Sequence, residues 1–201
     1  MTSRGVFVAF EGIDGSGKTT QARRVAAARD AICTFEPGDT TLGAALRAAV
    51  LDAAMDIDAT SELLVMAADR AQHVAQVIGP ALDEGRDVVC DRFSGSTLAY
   101  QGYGRGLDLE AIRRVLDVAT GGLEPDLTIL LDCPVAIARD RRGDRATASD
   151  RFESDDGFSE RVRAGFLALA TAGASWGVVD AEGPTGAVAR AVDELIARAL
   201  R

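Results

Sequence analysis

The chain alternates between two kinds of segment. Short, almost wholly apolar runs rich in β-branched residues read as buried strands: VFVAF (6–10), AICTF (31–35), DVVCD (87–91), LTILLD (127–132) and WGVVD (176–180). Between them lie alanine-rich segments of helical period: TTQARRVAAAR, TLGAALRAAVL, SELLVMAADRAQHVAQVIGPALDEG, LEAIRRVLDVAT and FSERVRAGFLALATAG. A last helix, TGAVARAVDELIARALR, closes the chain. Strands this apolar must be covered on both faces, and the intervening helices supply the cover. The pattern predicts an α/β fold of three layers, a five-stranded parallel sheet with helices on both faces. One segment breaks it. RDRRGDRATASDRFESDD (139–156) is densely charged and poor in apolar residues, which fits a solvated loop or a cover that closes over a site.

Composition narrows the class. At 201 residues the chain suits one compact domain, 1–201, and 47% hydrophobic with 26% charged residues is globular composition. A net charge of −9 argues against a nucleic-acid polymer as partner, which would need clustered positive charge. No apolar run reaches the length of a membrane span or a signal peptide, so the expectation is a soluble cytoplasmic protein with no membrane partner. Cys33, Cys90 and Cys133 stand far apart in apolar runs without a CxxC pattern, and are expected to be buried reduced thiols.

The chemistry begins at GIDGSGKTT. Lys18 is the only lysine in the chain; every other basic residue apart from His73 is an arginine. Residues 12–19 match G-x-x-x-x-G-K-[ST], placed after the strand VFVAF and opening a helix, as the phosphate-loop mechanism requires. Gly12, Gly15 and Gly17 let the backbone wrap phosphates with its amides turned inward, and the helix N-terminus adds its dipole. A compact ammonium fits inside such a nest where a planar guanidinium does not. Gly12, Ile13, Asp14, Gly15, Ser16, Gly17, Lys18, Thr19 and Thr20 are therefore the candidate ATP-binding residues, with the Thr19 hydroxyl suited to Mg²⁺. A guanine switch protein is excluded on letters alone, since N-K-x-D needs an asparagine and the chain has none.

Further stretches specify the class: FEPGDTTLGAALR (35–47), AADRAQH (67–73), DRFSGSTLAYQGYGRGL (91–107) and DRFE (150–153). In order and spacing they resemble the bacterial thymidylate kinases, whose motifs are E-P-G-G-T, F-A-A-D-R-x-x-H, D-R-Y-x-x-S-x-x-A-Y-Q-G-x-x-R-G and D-R-x-E. The resemblance implies a single P-loop nucleoside monophosphate kinase domain with a lid at about 139–156. It also implies ATP as phosphoryl donor, Mg²⁺, thymidine monophosphate (dTMP) as acceptor, and a homodimer paired through helices such as 61–84. Residue by residue it implies Asp91 as a metal-holding carboxylate beside Thr19, and Arg92 and Arg47 on the acceptor phosphate. Glu36, Met66, Arg70, Ser96, Thr97, Tyr100 and Gln101 are implied around the acceptor's base and sugar. Asp14 matches an acidic residue near the acceptor nucleotide and the metal; a turn aspartate is the other reading, as a solvated arginine is for Arg47. His73 reads as a packed or surface helix histidine.

The phosphate loop carries no basic residue at 13–16, whereas the lid carries Arg141, Arg142, Arg145 and Arg151. Among the kinases that the chain resembles, that is the arrangement in which the lid supplies the catalytic arginine, and the resemblance implies Lys18, Asp14, Arg92 and Arg151 as the candidate catalytic residues. Three positions depart from the family pattern: Phe35 stands where an arginine is usual, Asp39 where a glycine is, and Met66 where a phenylalanine stacks on thymine. They leave open another P-loop nucleoside monophosphate kinase of altered base choice, or a catalytically weak nucleotide-binding protein. If Arg151 stabilises charge on the transferring phosphoryl group, Arg151→Ala lowers kcat by roughly 10²-fold with a smaller change in KM. Steady-state kinetics check it, and a pure rise in KM for ATP would make Arg151 a binding residue only.

Overall fold

A computed structural model describes residues 3–52, 54–143 and 156–200. The described strands, β1 (Phe7–Glu11), β2 (Ile32–Phe35), β3 (Val88–Asp91), β4 (Leu127–Asp132) and β5 (Trp176–Asp180), form one sheet of order β2-β3-β1-β4-β5, every pairing parallel. Each lies within a residue of its expected place. β1 is buried along its whole length because it sits centrally between two strands and two layers. Its alternate side chains feed opposite cores. Val8 and Phe10 join Ile129 and Leu131 in the larger, while Phe7 and Ala9 join Val88, Ile78 and Leu82 in the smaller, where Phe7 meets Phe93 edge-on at 5.0 Å. The edge strands β2 and β5 are only partly covered. Cys33, expected to be buried, is exposed on edge strand β2, while Cys90 and Cys133 are buried thiols.

The helices α1 (Lys18–Arg29), α2 (Thr41–Leu51), α6 (Leu109–Thr120), α8 (Asp156–Ala172) and α9 (Thr185–Ala199) fall where the periodicity puts them. The long segment at 61–85 does not form one helix. It divides into α3 (Ala59–His73), a π-turn over Val74–Ile78 and α4 (Gly79–Asp83). Pro80 explains the break: it has no N–H to donate one turn back, and the wider turn, with Gly79 N–H donating to Val74 O, makes room for its ring.

Two helical pieces have no counterpart in the periodicity. The first is α5 (Ser94–Thr97), continued by a π-segment over Leu98–Gly104, in a stretch rich in glycine and serine. The second is α7 (Val135–Arg142), which runs into the charged segment. The remainder of the expected lid, with Arg145 and Arg151, lies outside the described residues. Among the described residues no helix is long and apolar enough to cross a membrane.

The chain crosses from β1 over to β2, returns to β3 beside β1, then continues on β1's other side. The sheet order reverses there, so the loops after β1 and β3 meet at the carboxyl edge, where open α/β sheets place their ligands.

Candidate active site

Three glycines give the loop after β1 its shape, all at positive φ: Gly12 (138°), Gly15 (88°) and Gly17 (95°). A Cβ at Gly15 would lie 2.1 Å from the Ala138 carbonyl oxygen of α7, so only glycine lets the loop pass under that helix. Lys18 opens α1 yet is only 5% exposed. Its Nζ donates to Ile13 O at 2.9 Å and lies 3.8 Å from Asp14. Burial and the neighbouring Arg92 bring its ammonium down to about 8.

Opposite, Arg92 leaves β3 with φ 76°, a left-handed conformation uncommon for a non-glycine residue. Its guanidinium donates to Gly12 O (3.0 Å), Ser96 Oγ (2.9 Å), Asp14 Oδ1 (2.6 Å) and Tyr100 Oη (3.2 Å). Burial pushes the Asp14 carboxyl up, but Arg92 and then Lys18 outweigh it and hold the group well below the usual carboxylate range. Glu11, the last residue of β1, is fully buried and anchors this loop from beneath. It accepts from Phe93 N and Ser96 N, both at 2.9 Å, and from Ser96 Oγ at 2.6 Å. Its carboxylate thereby caps the first turn of α5, which is why a glycine- and serine-rich stretch folds as helix.

Two cavities share this wall. One, of about 730 Å³, is lined by Asp14 to Thr20 of the phosphate loop, by Arg141 and Arg142 of α7, and by the β5–α9 connection. Gly12 and Ile13 do not line it; Gly12 O accepts from Arg92, and Ile13 packs in the larger core. Arg141 is held by backbone carbonyls of that connection, donating to Ala181 O and Glu182 O at 2.7 Å. The second cavity, of about 200 Å³, is lined by every residue expected around the acceptor: Glu36, Arg47, Met66, Arg70, Arg92, Ser96, Thr97, Tyr100 and Gln101. Asp14 lines both cavities.

The second cavity is braced by a buried network. Arg70 donates to Glu36 Oε2 (2.8 Å), Thr97 Oγ1 (2.8 Å) and Phe93 O (3.0 Å). Glu36 also holds His73 Nδ1 at 2.9 Å, so the histidine is a packed one. Gln101 Nε2 donates to buried Glu62 at 2.8 Å, which leaves its carboxamide oxygen to accept. Arg47 is exposed, its guanidinium 2.8 Å from Pro37 O and over the Phe35 ring. Sequence reasoning missed Glu11, Glu62 and Asp69. Burial, then Glu36, raises the Asp69 carboxyl to about 6, and Asp69 Oδ1 accepts from Gly38 N at 3.1 Å. The available signal was an acidic residue at the end of, or within, an otherwise apolar element.

The fit to a divalent metal can be tested on these atoms. Asp91 Oδ2 accepts from Thr19 Oγ1 at 2.5 Å, while Asp91 Oδ1 is buried with no partner among the described residues. Two adjacent hard oxygens, one carrying an unmet lone pair, suit Mg²⁺.

A parallel sheet of this order, with a phosphate loop at the switch point and two adjoining cavities, defines a P-loop nucleotide-binding enzyme of the nucleoside monophosphate kinase class. Comparison with known proteins narrows this. The thymidylate kinase family model matches residues 10–192. The thymidylate kinase of Desulfovibrio desulfuricans is 50% identical over 178 residues, 82% of either chain. That of Solidesulfovibrio magneticus is 47% identical over 209 residues, covering 97% of this chain and 100% of the relative. A crystal structure of thymidylate kinase from Ehrlichia chaffeensis superposes with a TM-score of 0.79 at 32% identity, covering 96% of this chain and 99% of that one. The chain belongs to the thymidylate kinase family, a family of ATP-dependent nucleoside monophosphate kinases.

Glu11→Ala strips the acceptor from two buried amides, at roughly 1–3 kcal/mol each. The expected result is a loss of roughly 2–6 kcal/mol in denaturant unfolding, together with lower activity, because Arg92 loses its footing. Glu11→Gln, which keeps an acceptor oxygen, should lose less of both.

Proposed function

We propose that this protein transfers the γ-phosphoryl group of ATP to dTMP, with Mg²⁺, giving the diphosphate on the route to thymidine triphosphate. The observation that carries this reading is the pair of cavities meeting at Asp14. A phosphate loop lines one; Arg47, Arg70, Arg92, Tyr100 and Gln101 stand among the side chains that line the other. In this reading the amides of residues 15–19 and the Lys18 ammonium hold the donor phosphates. Thr19 and Asp91 would hold Mg²⁺, which when bound neutralises phosphate charge.

Arg92 and Arg47 bind the acceptor phosphate, Arg92 exchanging part of its contact with Asp14 for it. Arg70, locked in orientation by Glu36, Thr97 and Phe93, presents its remaining N–H groups to a base carbonyl, and Gln101 presents an acceptor to a base N–H. Met66 covers the base face, and Tyr100, set by Arg92 and Asp14, lies against the sugar. Since transfer of this kind is positioning plus neutralisation of charge, no strong general base is required. Arg151, Arg142 and the rest of the lid complete the reading by supplying positive charge as the lid closes.

The whole chain acts as one kinase domain in the cytoplasm, as a homodimer. Supporting the dimer are exposed apolar residues on three neighbouring helices, Leu42 of α2, Leu64 of α3 (54% exposed) and Val118 of α6 (85% exposed). A coupled assay across the nucleoside monophosphates tests the activity. A preference for dTMP over other bases of roughly 10²-fold or more in kcat/KM is expected. Comparable turnover of another base would point to a base-altered kinase, and none at all to a nucleotide-binding protein.

Lys18→Arg keeps the charge but not the shape, and should abolish most activity because the nest is already filled by an ammonium bonded to Ile13 O. Activity within a few-fold of wild type would refute that account.

The lowered Lys18 value also sets a pH limit. The folded group loses its proton near 8, below the unperturbed lysine range, so the cationic form that binds phosphate is depleted above that pH. kcat/KM for ATP should then fall by roughly tenfold per pH unit, and ATP binding in this range should take up a proton. A pH–rate profile and calorimetry in two buffers check both.

Met66→Phe adds the flat π-surface that a thioether lacks. Stacking on an aromatic ring is worth roughly 1–3 kcal/mol, of which methionine recovers part. The variant should fold normally, lower KM for dTMP by a few-fold and leave KM for ATP unchanged. Untouched acceptor kinetics would mean that another side chain covers the base.

A further inference from the structure

Asp69 of α3 is a buried carboxylate, 1% exposed, on the border of the acceptor cavity. Its one hydrogen bond among the described residues comes from Gly38 N, which donates to Oδ1 at 3.1 Å. A buried carboxylate with so few donors needs a cation to answer its charge. Arg70 and His73 of the same helix are engaged with Glu36, and the other bonds of Arg70 go to Thr97 and Phe93. Arg47 of α2 answers it instead, through a single peptide unit.

That unit is Pro37–Gly38. Its carbonyl, Pro37 O, accepts from Arg47 Nη1 at 2.8 Å, and its N–H donates to Asp69. A negative charge on the N–H side makes the carbonyl of the same unit a stronger acceptor, because hydrogen bonds in series polarise one another. The Arg47 stem rests on this unit as well. Gly38 has φ 119°, and a Cβ there would lie 2.8 Å from Arg47 Cδ, so only glycine lets the stem come this close. Asp69 also touches α2 itself. A Cβ at Gly43 would lie 2.2 Å from Asp69 Oδ1, so the first turn of the helix that carries Arg47 passes against the carboxylate.

We propose that Asp69 is a positioning residue for the acceptor: it holds Arg47 at the cavity through the Pro37–Gly38 peptide, and releases it on taking up a proton. A guanidinium has N–H groups to spare beyond the one on Pro37 O, so its other edge can meet phosphate oxygens. Burial first, then Glu36 at the end of β2, raises the Asp69 carboxyl to about 6, while Gly38 N, His73 and Arg70 pull it down. Arg47 faces it from α2, and Asp39 of the intervening turn is engaged with Thr34. Across the cavity stand Tyr100 and the pair Arg92 and Asp14. With the value raised, the anion and its support are lost as pH falls through about 6. The role rests on the reading that Arg47 grips the acceptor phosphate; the tie between the two side chains does not.

Nuclear magnetic resonance of the full-length protein without nucleotide reads the tie. The Gly38 amide and the Arg47 Nε–H should titrate together, with a midpoint at about 6. Asp69→Asn should flatten both curves. Arg47→Ala, at an exposed position, should raise the Gly38 midpoint, as loss of a cation does for a carboxyl. Signals that titrate apart, or a Gly38 midpoint untouched by Arg47→Ala, overturn the tie.

Kinetics read the role. Asp69→Asn keeps the shape and an acceptor oxygen but not the charge. At about pH 8 it should raise KM for dTMP roughly threefold or more, with kcat and KM for ATP within roughly twofold of wild type. The dTMP phosphate itself titrates near pH ~6, so the quantity to follow is the ratio of variant to wild-type KM, in which that titration cancels. The ratio should fall toward unity below about pH 5.5, where the wild type has lost the same charge. On an Arg47→Ala background, Asp69→Asn should change KM for dTMP by less than about 1.5-fold. A ratio indifferent to pH, or effects of the two substitutions that simply multiply, makes Asp69 a structural residue and overturns the role. Should Asp69→Asn fail to fold, the wild-type titration and the Arg47→Ala shift still decide the proposal. A protein that binds no dTMP counts against the function proposed above, whereas the titration is read without dTMP.

Discussion

The ion pair between Arg92 and Asp14 is the contact on which the rest of the site depends. It joins the loop after β1 to the loop after β3, and those two strands lie side by side in register, Phe10 opposite Asp91. Arg92 adopts a left-handed backbone to make it, a conformation that costs on the order of 1–3 kcal/mol in a non-glycine residue. Its hydrogen bonds to Gly12, Asp14, Ser96 and Tyr100 offset that cost. Those four partners span three surfaces. Gly12 shapes the phosphate loop, Asp14 stands between the cavities, and Ser96 and Tyr100 line the second. Glu11 holds the same loop from the other side, so the strained residue is fixed by charge above and below. Without the pair neither cavity would keep its wall.

The same neighbourhood is rich in carboxylates: Glu11, Asp14, Glu36, Asp69 and Asp91 stand close to Lys18, Arg70 and Arg92. Each of these cations is engaged, Arg70 with Glu36, Arg92 with Asp14, and Lys18 with Ile13 O beside Asp14. These three cations are neutralised locally, and the further positive charge at the two cavities comes from Arg47, Arg141 and Arg142. In the function proposed above, Mg²⁺ at Thr19 and Asp91 and the arginines of the 139–156 segment would add to it. The Lys18 ammonium lies low because burial disfavours its charge and Arg92 repels it.

Strand positions were legible to within a residue because a doubly covered sheet leaves an unmistakable apolar run. The phosphate loop was legible because its glycines and Lys18 have no substitutes for their geometry. Where the chain's shape is decided by distant partners, local sequence was silent. α5 forms in SGST because Glu11, far away in the chain, accepts the amides of Phe93 and Ser96. The break after His73 was visible in Pro80 but was outweighed by the long apolar period around it. Cys33 looked buried because AICTF reads like an inner strand, but strand order places it at an edge. The acceptor-side residues Arg47 to Gln101 came from resemblance, and their convergence on one cavity is a tertiary fact that no spacing rule supplies. Glu11, Glu62 and Asp69 went unnoticed for the same reason: their partners lie on other elements.

Asp39 departs from the family pattern as an added negative charge, and its place in the structure changes what that charge does. It does not line the acceptor cavity; it accepts the hydroxyl proton of buried Thr34. Thr34 Oγ1 also lies 2.5 Å from His73 Nε2, and having given its one proton to Asp39 it can only accept there. His73 Nδ1 faces Glu36, which as a carboxylate also only accepts. His73 is thereby held at both ring nitrogens, by Thr34 and by Glu36. Glu36 is thus held by His73 on one oxygen and by Arg70 on the other. A glycine at 39 would leave the Thr34 hydroxyl without that acceptor. The added aspartate therefore bears on the histidine that steadies Glu36, and through Glu36 on Arg70, while it also lines a further cavity with Lys18, Asp91 and Arg92.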